Sequence, residues 1–397
     1  MSARLHKDVV IVGAGLVGLS AAIALHQAGV SVILVDHHNP EQLASSGETW
    51  DTRIYAISPR NARWLATLGV WPQIPPARIN EIQAMDIYSD TSQKPLSLNA
   101  ADVNAENLGF IVESSALMQA LLKQIALLGV PTLFGVACEQ VENLPTQVAL
   151  ALSSGQIIES QLMLAADGSH SWVRQQQAMP MKQKAYQQTA IVANFKVEKP
   201  HENIARQWFL TDAEGQSNIL AWLPLPGDTI SIVWSVSTKL ADTLLKCSDE
   251  AFTQQVMSAG SGMLGNFKLL NKPIGFPLSL QTTQQFAKDS VILMGDAAHR
   301  VHPMAGQGVN LGFRDVMDFM EVLQGKNQHQ SMNDASLLKQ YTRRRKPDVL
   351  KMVMLTDGLY HLFGGQNSFI KSVRNWGLSA TNHQRIKKML VSNAISL

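Results

Sequence analysis

The sequence is poor in cysteine and in charged side chains. Cys138 and Cys247 are its two cysteines, too few for a disulfide framework or a cysteine-based metal cluster, and they suit a reducing cytosol. Charged residues make up 16% of the 397 residues and hydrophobic residues 46%. This composition excludes a disordered or fibrous chain and suffices for the cores of about two or three domains. Internal repeats and low-complexity linkers are also lacking.

The small net charge of +2 conceals an uneven distribution. Residues 339–397 carry 11 Lys or Arg against 2 Asp or Glu, whereas residues 1–338 carry 22 against 29. Within the basic segment, the run 343–346 precedes a helix-like apolar stretch at 350–363. Cationic helices with apolar faces suit an anionic membrane surface. The alternative is a helical cap on the rest of the protein, with its basic side chains in solvent. No nucleic-acid-binding module accompanies the charge, so no nucleic acid is expected as a partner.

The longest uncharged run is 27 residues, from 9 to 35. Its length would allow a membrane span or a signal peptide. Against this, Asp8 abuts the run, Gly13, Gly15 and Gly18 interrupt it, and no small-residue cleavage site precedes further apolar sequence. We therefore expect a soluble, cytoplasmic protein. Whether residues 339–397 also contact the inner face of the cytoplasmic membrane stays open.

The same run carries a dinucleotide-binding fingerprint. Residues 9–36 follow a strand–helix–strand pattern, and G-x-G-x-x-G lies between the first strand and the helix. Gly13 allows the tight turn, Gly15 lets the backbone approach a pyrophosphate, and Gly18 lets helix and strand pack closely. Asp36, at the end of the second strand, is placed to bind the adenosine ribose. The alternative is an ordinary glycine-containing turn.

A second G-x-G-x-x-G occurs at 260–265, in a different context. It follows a helix-like stretch instead of a strand, and Thr283 stands where the acidic ribose ligand should be. We interpret it as a loop, so the sequence predicts a single dinucleotide-binding fold.

Residues 186–238 change to a strand pattern that predicts a mainly antiparallel sheet. Residues 219–225 and 229–237 flank the turn signal at 226–228. Alternation puts four apolar side chains on one face of the second strand: Ile230, Ile232, Trp234 and Val236. Such faces, with Trp222, either line a lipophilic pocket or form ordinary sheet core. From residue 291 a buried strand, a Gly-rich loop and a helix follow.

Two later segments resemble elements of the flavoprotein aromatic hydroxylases. Residues 167–174 read D-G-S-H-S-W-V-R and resemble the D-G-x-x-S-x-x-R element, whose turn lies near FAD and NAD(P)H in that family. The resemblance makes Asp167 and Gly168 candidate cofactor contacts, although Asp-Gly after a strand is also simply a good turn.

Residues 295–315 resemble the G-D-A-A-H-x-x-x-P-x-x-G-Q-G-x-N-x-G-x-x-D signature of the same hydroxylases. The acid after the first glycine suits a ribityl hydroxyl, and the glycines around Gln307 open a helix whose positive end suits the N1/O2 edge of a reduced flavin. The proline would shape the wall beside the isoalloxazine. The candidate cofactor residues from this segment are Gly295, Asp296, Pro303, Gly306, Gln307, Gly308, Val309 and Asn310.

A narrower resemblance is to the ubiquinone-biosynthesis hydroxylases, which act on polyprenylated phenols. It is carried by residues 51–58, 68–71, 109–113, 223–225, 232–234 and 302–306. Arg53 resembles the family's arginine near the flavin, and a solvated loop charge is the alternative. Ser114 departs from relatives that often have Asn there, which leaves a cofactor contact at this position open.

The resemblance implies a FAD-dependent monooxygenase. NAD(P)H reduces bound FAD, O2 adds at flavin C4a, and the hydroperoxide transfers oxygen to an activated phenol ring. No general base is identifiable, and the candidate catalytic residues are Arg53, Tyr55, His299 and Pro303. His299 and His302 are three apart but lack further ligands at metal spacing, so no metal is expected. The alternatives are a flavin monooxygenase acting on another aromatic or lipophilic substrate, and a non-catalytic prenyl-lipid binder or scaffold.

The expected fold class is α/β, with a Rossmann-like, para-hydroxybenzoate-hydroxylase-like FAD domain, an antiparallel substrate sheet and a C-terminal helical segment. The FAD domain is assigned to residues 1–75, 109–180 and 286–335, the substrate domain to 76–108 and 181–285, and the basic segment to 336–397. The expected partners are a lipophilic phenol and O2. Other quinone-biosynthesis proteins and a second copy of the chain stay open as partners.

Overall fold

The computed structural model describes residues 4–39, 50–89, 95–212, 214–301 and 307–364. In this part of the chain, three sheets are flanked by eight α-helices. The helices are α1 (Leu16–Gln27), α2 (Pro59–Thr67), α3 (Ser114–Leu128), α4 (Trp172–Gln176), α5 (Thr238–Lys246), α6 (Asp249–Ala259), α7 (Gly308–Gln324) and α8 (Ala335–Gly364).

The first sheet has eight strands and a parallel centre. Its strands are β1 (Arg4–Val12), β2 (Val32–Asp36), β8 (Thr132–Phe134), β9 (Cys138–Asn143), β10 (Val148–Leu152), β11 (Ile157–Ala165), β18 (Ala287–Lys288) and β19 (Val291–Leu293). The parallel order is β19-β11-β1-β2-β8. Helix α1 packs between α3 and α7. The uncharged run 9–35 is therefore core, because both of its strands and its helix are buried.

The second sheet has nine strands and is mostly antiparallel. Its strands are β5 (Ala84–Ser89), β6 (Leu96–Asn99), β12 (Lys182–Val197), β13 (Ile204–Thr211), β14 (Ser217–Leu225), β15 (Thr229–Ser237), β16 (Phe267–Leu269), β17 (Ile274–Thr282) and β20 (His299–Arg300). Helices α5 and α6 contribute Leu244 and Phe252 to a core on one face. Trp222 and Trp234 lie in that core, so these two side chains form part of the sheet core.

A small third sheet connects the other two. It consists of β3 (Ile54–Ile57), β7 (Gly109–Glu113) and β4 (Ile79–Ile82), with β7 in the centre. Its Ile82 and Ile111 share a core cluster with Ala205 and Leu225 of the nine-stranded sheet. Strands β3 and β4 both pair with β7, which leads directly into α3. This sheet therefore holds the segment around Arg53 between the two larger sheets.

The second G-x-G-x-x-G is a turn after α6, as predicted. A Cβ on Gly260 would lie 1.9 Å from Cζ2 of Trp222. Glycine is required there by the packing of a core tryptophan, and no strand leads into the motif.

Helix α8 is continuous across Pro347. Proline inside a helix removes one hydrogen bond and crowds the preceding turn. Ion pairs of Arg345 and Asp348 on either side of Pro347 join the helix to α7. Among the described helices, none is both long and apolar enough to cross a bilayer.

Candidate active site

The glycine fingerprint lies where β1 meets α1. Gly13 has φ +105°, and a Cβ there would lie 2.4 Å from the carbonyl oxygen of Ala166. A Cβ on Gly18 would lie 1.9 Å from the carbonyl oxygen of Gly13. At Gly15, by contrast, no atom of the described residues lies within 4 Å of the Cβ position. The turn is thus tightly packed at Gly13 and Gly18 and open at Gly15. The open position lies at a helix N-terminus, which suits a phosphate group.

Asp36 ends β2 beside this turn. Its Oδ2 accepts a hydrogen bond from the Ala14 amide at 2.6 Å, and its Oδ1 accepts one from the His38 amide at 2.8 Å. Ligand atoms of Asp36, His37 and His38 lie within 4.8 Å of one another. Both histidines are exposed and both carboxylate oxygens already accept hydrogen bonds, which favours a solvated surface group over a metal centre.

The Asp167–Gly168 turn is packed against the back of the fingerprint. A Cβ on Gly13 would lie 2.7 Å from Cα of Asp167. Oδ2 of Asp167 accepts a hydrogen bond from the Val173 amide at 3.0 Å. Its Oδ1 is buried without a partner among the described residues, and burial raises the pKa of this carboxyl. A buried, unsatisfied acceptor of this kind fits a cofactor hydroxyl or amide.

Arg174 connects this turn to the segment that begins at Gly295. Its Nη1 donates to the carbonyl of Ala297 at 2.8 Å, and its Nη2 donates to the carbonyl of Ser169 at 3.0 Å. Ser171 caps α4 by accepting from the Arg174 amide. The final Ser and Arg of the D-G-x-x-S-x-x-R element therefore hold two loops together.

Gly295 and Asp296 form a short 3-10 helix with Ala297 directly after β19. The Cβ positions of Gly295 and Gly312 would lie 3.1 Å and 2.5 Å from Cγ2 of Val17. Two glycines thus let α1 and α7 approach each other through one valine. Asp296 is half-buried. The fingerprint, the Asp167 turn and the Gly295 turn consequently share one edge of the parallel sheet.

His299 lies in the interior, behind this edge. Its Nε2 bonds to Oδ2 of Asp315 at 2.7 Å, and the same oxygen accepts from the Gly295 amide at 2.7 Å. Oδ1 of Asp315 accepts from Nε of Arg345 at 2.6 Å. Burial opposes ionisation of Asp315, but His299 and Arg345 hold its pKa below the usual value. This geometry fits His299 as a support for the turn and not as a group that meets a substrate.

The start of α7 combines open and closed positions. Around the Cβ position of Gly308 no atom lies within 4 Å, and Oε1 of Gln307 is buried without a partner among the described residues. Val309 is buried. Within the part of the chain that the structure describes, Gly308 and Gln307 thus leave an uncovered helix N-terminus and an unpaired amide oxygen for a bound group. His302, Pro303 and Gly306 lie outside the described residues.

The side chain of Asn310 points into the protein. Its Oδ1 accepts from the Ser58 amide at 3.0 Å and from Nδ2 of Asn61 at 2.7 Å, and its own Nδ2 donates to the carbonyl of Ala56 at 2.7 Å. It is fully buried. The side chain of Asn310 therefore fixes β3 and α2 on α7, and the cofactor contact at this position stays a prediction.

Arg53 directly precedes β3 and Tyr55 lies within it, on the strand that Asn310 joins to α7. Arg53 is exposed, and its Cζ lies 5.6 Å from the centre of the Tyr55 ring. Tyr55 shares a side-chain hydrogen bond with Ser114, and burial raises the pKa of its hydroxyl. Asp296 is close enough to contribute to that increase. The position where relatives have Asn thus contacts Tyr55 in this chain.

Asp51 fastens this segment to the small sheet, to α3 and to the nine-stranded sheet. Its amide donates to Oε1 of Glu113 at 2.6 Å, and Oδ2 accepts from the Ser115 amide at 3.0 Å. Its carbonyl accepts from Nδ2 of Asn194, on β12, at 2.9 Å. Burial raises the pKa of Glu113 despite its ion pair with Arg78 at 3.0 Å. The backbone before Arg53 is thereby held in one position between the sheets.

An apolar strip extends from this junction along the nine-stranded sheet. Val192 pairs with Val233 and Ile274, and Val233 pairs with Ala221, so all four share the face of Asn194. The three inner side chains are half-buried, whereas Ile274 and its neighbour Phe276 on β17 are exposed. This face is opposite the tryptophan core.

Glu113, Arg174 and Asp315 lie in segments that carry the family resemblance, but no role was predicted for them. The supporting residues that the sequence did not identify are Arg78, Asn194 and Arg345. For Arg345 a signal existed, because Leu338, Tyr341, Arg345 and Met352 recur at helical spacing and are all buried. This spacing separates Arg345 from the other basic residues of the run 343–346.

A family model described as FAD binding domain matches residues 6–356. The chain is 32% identical to the ubiquinone hydroxylase UbiL of Rhodospirillum rubrum, over 99% of this chain and 90% of that protein. It is 31% identical to the mitochondrial ubiquinone biosynthesis monooxygenase of Homo sapiens, over 94% and 89%. It is 29% identical to the 3-demethoxyubiquinol 3-hydroxylase of Escherichia coli, over 96% of each.

Solved structures share the fold at lower identity. A Pseudomonas aeruginosa PqsL complex with 2-aminobenzoylacetate aligns with a TM-score of 0.77 at 21% identity, over 92% of this chain and 99% of that one. The p-nitrophenol 4-monooxygenase PnpA of Pseudomonas putida gives 0.77 at 16% identity, over 99% and 98%. The predicted α/β fold class and the FAD cofactor are confirmed. The chain belongs to the FAD-dependent aromatic hydroxylases, in their ubiquinone-biosynthesis branch.

Proposed function

We propose that this protein hydroxylates the aromatic ring of a polyprenylated phenol in ubiquinone biosynthesis, using FAD, NAD(P)H and O2. The observation that carries the proposal is the convergence of the three cofactor segments at one sheet edge, beside an apolar strip on the nine-stranded sheet. The names of the relatives, ubiquinone hydroxylase and 3-demethoxyubiquinol 3-hydroxylase, support the same substrate class.

The residues at the sheet edge fit FAD in an extended conformation. The α1 N-terminus with Gly15 would receive the pyrophosphate, and Asp36 the ribose. Asp167 and Asp296 would accept hydrogen bonds from the middle of the cofactor, and the backbone at Gly308 would face the ring edge. When bound, FAD supplies reduction by NAD(P)H and activation of O2.

The phenol ring would lie between this edge and the segment that carries Arg53 and Tyr55. Because burial raises its pKa, the Tyr55 hydroxyl is protonated at neutral pH and can donate a hydrogen bond but cannot accept a proton as a base. Arg53 supplies positive charge beside it. His299 acts by holding the Gly295 turn.

The apolar strip would take the isoprenoid chain. It begins two residues from Asn194, which bonds to Asp51 near the ring site, and it ends at exposed Ile274 and Phe276. A long apolar substrate gains roughly 25 cal/mol for each Å² it removes from water. Because the strip is open at its outer end, it can accommodate an isoprenoid chain that is longer than the strip itself.

The test is quinone profiling in a deletion strain of the source organism, combined with flavin spectroscopy of the purified protein. We expect a yellow protein that NAD(P)H bleaches without oxygen, and a strain that accumulates one unhydroxylated prenylated intermediate. Val233→Asp, in the strip, should still bind FAD and be reduced, yet fail to restore the quinone. Leu127→Asp, on the exposed surface of α3, should restore it.

The other outcomes separate the alternatives. A normal quinone pool in the deletion strain would favour a flavin monooxygenase acting on another aromatic or lipophilic substrate. Colourless protein that cannot be reconstituted with FAD would favour a non-catalytic prenyl-lipid binder.

Contact with an anionic membrane surface is proposed as a second property. An outward stripe of α8 combines basic Lys339, Arg343 and Lys346 with exposed Leu350 and Met354. These residues recur at helical spacing, and a lipid-borne substrate would be reached from that surface. A soluble protein held peripherally at the inner face of the cytoplasmic membrane would have this arrangement.

A further inference from the structure

One arginine of the basic run does not belong to the outward stripe. Arg345 is 1% exposed, whereas Arg343, Arg344 and Lys346 on either side are exposed. Its Nη1 contacts Oδ2 of Asp318 at 2.5 Å and Oδ2 of Asp348 at 2.9 Å. A buried guanidinium with carboxylate partners on two helices is an interior structural group, since burying an unpaired charge is costly.

The third partner of Arg345 leads to the cofactor segments. Its Nε donates to Oδ1 of Asp315 at 2.6 Å. The other oxygen of Asp315 receives the Gly295 amide and Nε2 of His299, both at 2.7 Å. Asp315 is fully buried, so its orientation depends on these three donors. Arg345 is therefore separated from the backbone of the Gly295–Ala297 turn by a single carboxylate.

We propose that Arg345 is a positioning residue for FAD, acting through Asp315 on the turn that carries Asp296. Arg345 holds Oδ1 of Asp315 in place, and this keeps the carboxylate from rotating. Its Oδ2 therefore stays bonded to the Gly295 amide and holds the turn. Arg174 holds the far end of the same turn through Ala297 at 2.8 Å. The basic helix thus reaches the cofactor site from behind, independently of the substrate and of any membrane.

The rival explanation is that Arg345 only attaches α8 to α7. A neighbouring pair allows the two roles to be separated. Asp348 binds Nε of Arg314 at 2.9 Å and also contacts Arg345, but it makes no bond to the Gly295 turn. Asp348→Asn therefore weakens helix attachment while it leaves Asp315 bound to Arg345, Gly295 and His299.

The experiment is titration of apoprotein with FAD, at a temperature where thermal scans show each variant to be folded. Arg345→Met should bind FAD at least tenfold more weakly and alter the visible flavin spectrum, and Arg345→Lys should restore part of the affinity. Arg344→Met, which removes an exposed charge paired with Glu321, and Asp348→Asn should stay within twofold of the wild type.

Wild-type affinity and spectrum in folded Arg345→Met would overturn the proposal. Equal loss of affinity in Asp348→Asn and Arg345→Met would also overturn it, because helix attachment alone would then explain the effect. If Arg345→Met does not fold, FAD titration of Asp315→Asn tests the proposal instead. A single amide oxygen cannot serve Arg345, Gly295 and His299 together, so folded Asp315→Asn with unchanged FAD affinity would equally contradict the proposed role.

Discussion

At the scale of single residues, Gly15 and Gly18 belong to one motif but have different neighbours. A methyl group on Gly18 would meet the Gly13 carbonyl oxygen at 1.9 Å, whereas one on Gly15 would meet no atom of the described part of the chain within 4 Å. We expect Gly18→Ala to destabilise the apoprotein by about 3 kcal/mol, through overpacking. Gly15→Ala should cost less than about 1 kcal/mol but weaken FAD binding about tenfold or more, since the methyl group enters the space for the pyrophosphate.

Chemical denaturation of apoprotein and FAD titration measure the two effects separately. Gly325→Ala is the control, because its Cβ would have only an ordinary contact, 3.6 Å from the Val322 carbonyl oxygen. Equal FAD affinity in Gly15→Ala and wild type would contradict the placement of the pyrophosphate at this turn.

Tyr55 allows a second residue-scale prediction. Tyr55→Phe removes the hydroxyl that bonds to Ser114 and that we expect to face the substrate. Loss of one hydrogen bond of roughly 1.5 kcal/mol lowers the hydroxylation rate about tenfold. FAD affinity should not change. The measurement is the rate at which hydroxylated product forms, and Tyr88→Phe, with a ring stacked on Trp208 in the nine-stranded sheet, serves as the control. An unchanged hydroxylation rate in Tyr55→Phe would exclude a role at the ring.

At the scale of elements, patterns confined to a short stretch of chain were predictable and contacts between distant stretches were not. A strand precedes the fingerprint at 13–18, whereas a helix precedes the loop at 260–265. This difference can be recognised from the sequence alone. The bond from Arg174 to Ala297 and that from Asn194 to Asp51 join residues more than a hundred positions apart. Such partners depend on how sheets and helices pack, which propensity and periodicity do not specify.

The attachment of α8 to α7 gives an element-scale prediction about pH. Burial disfavours the Asp348 carboxylate, but Arg314 and Arg345 hold its pKa below the usual value. A depressed folded-state pKa contributes stability that is present above the unfolded value near 4 and is lost as pH falls through the folded value. Asp348→Asn should cost about 2 kcal/mol at pH 7, because the buried guanidinium groups of Arg314 and Arg345 lose a partly exposed partner.

That cost should shrink as the pH approaches 3, since the wild type then loses the same interaction. Urea denaturation of apoprotein at several pH values measures it. Asp242→Asn, an exposed change on α5, should show no such pH dependence. A constant difference between Asp348→Asn and wild type from pH 7 to pH 3 would contradict the assignment of this ion pair.

At the scale of the whole molecule, the basic segment contains two populations of charge. Arg345 is interior and supports the Gly295 turn, whereas Lys339, Arg343 and Lys346 lie on the outward stripe of α8. Deleting residues 339–397 would remove both populations, so loss of vesicle binding in that deletion could follow from misfolding. Membrane contact must therefore be tested on the stripe alone, with the interior arginine intact.

Leu350→Ser combined with Met354→Ser provides this test. The two side chains are 53% and 65% exposed, so their replacement should leave stability within about 0.5 kcal/mol. Each apolar side chain that enters a bilayer interface contributes about 1.5–3 kcal/mol when fully buried. The affinity for vesicles containing anionic lipid, measured by flotation, should thus fall at least tenfold in the double variant. Leu127→Ser, 68% exposed on α3, should float like wild type, and failure of the wild type itself to float would remove the membrane proposal while leaving the hydroxylase proposal untouched.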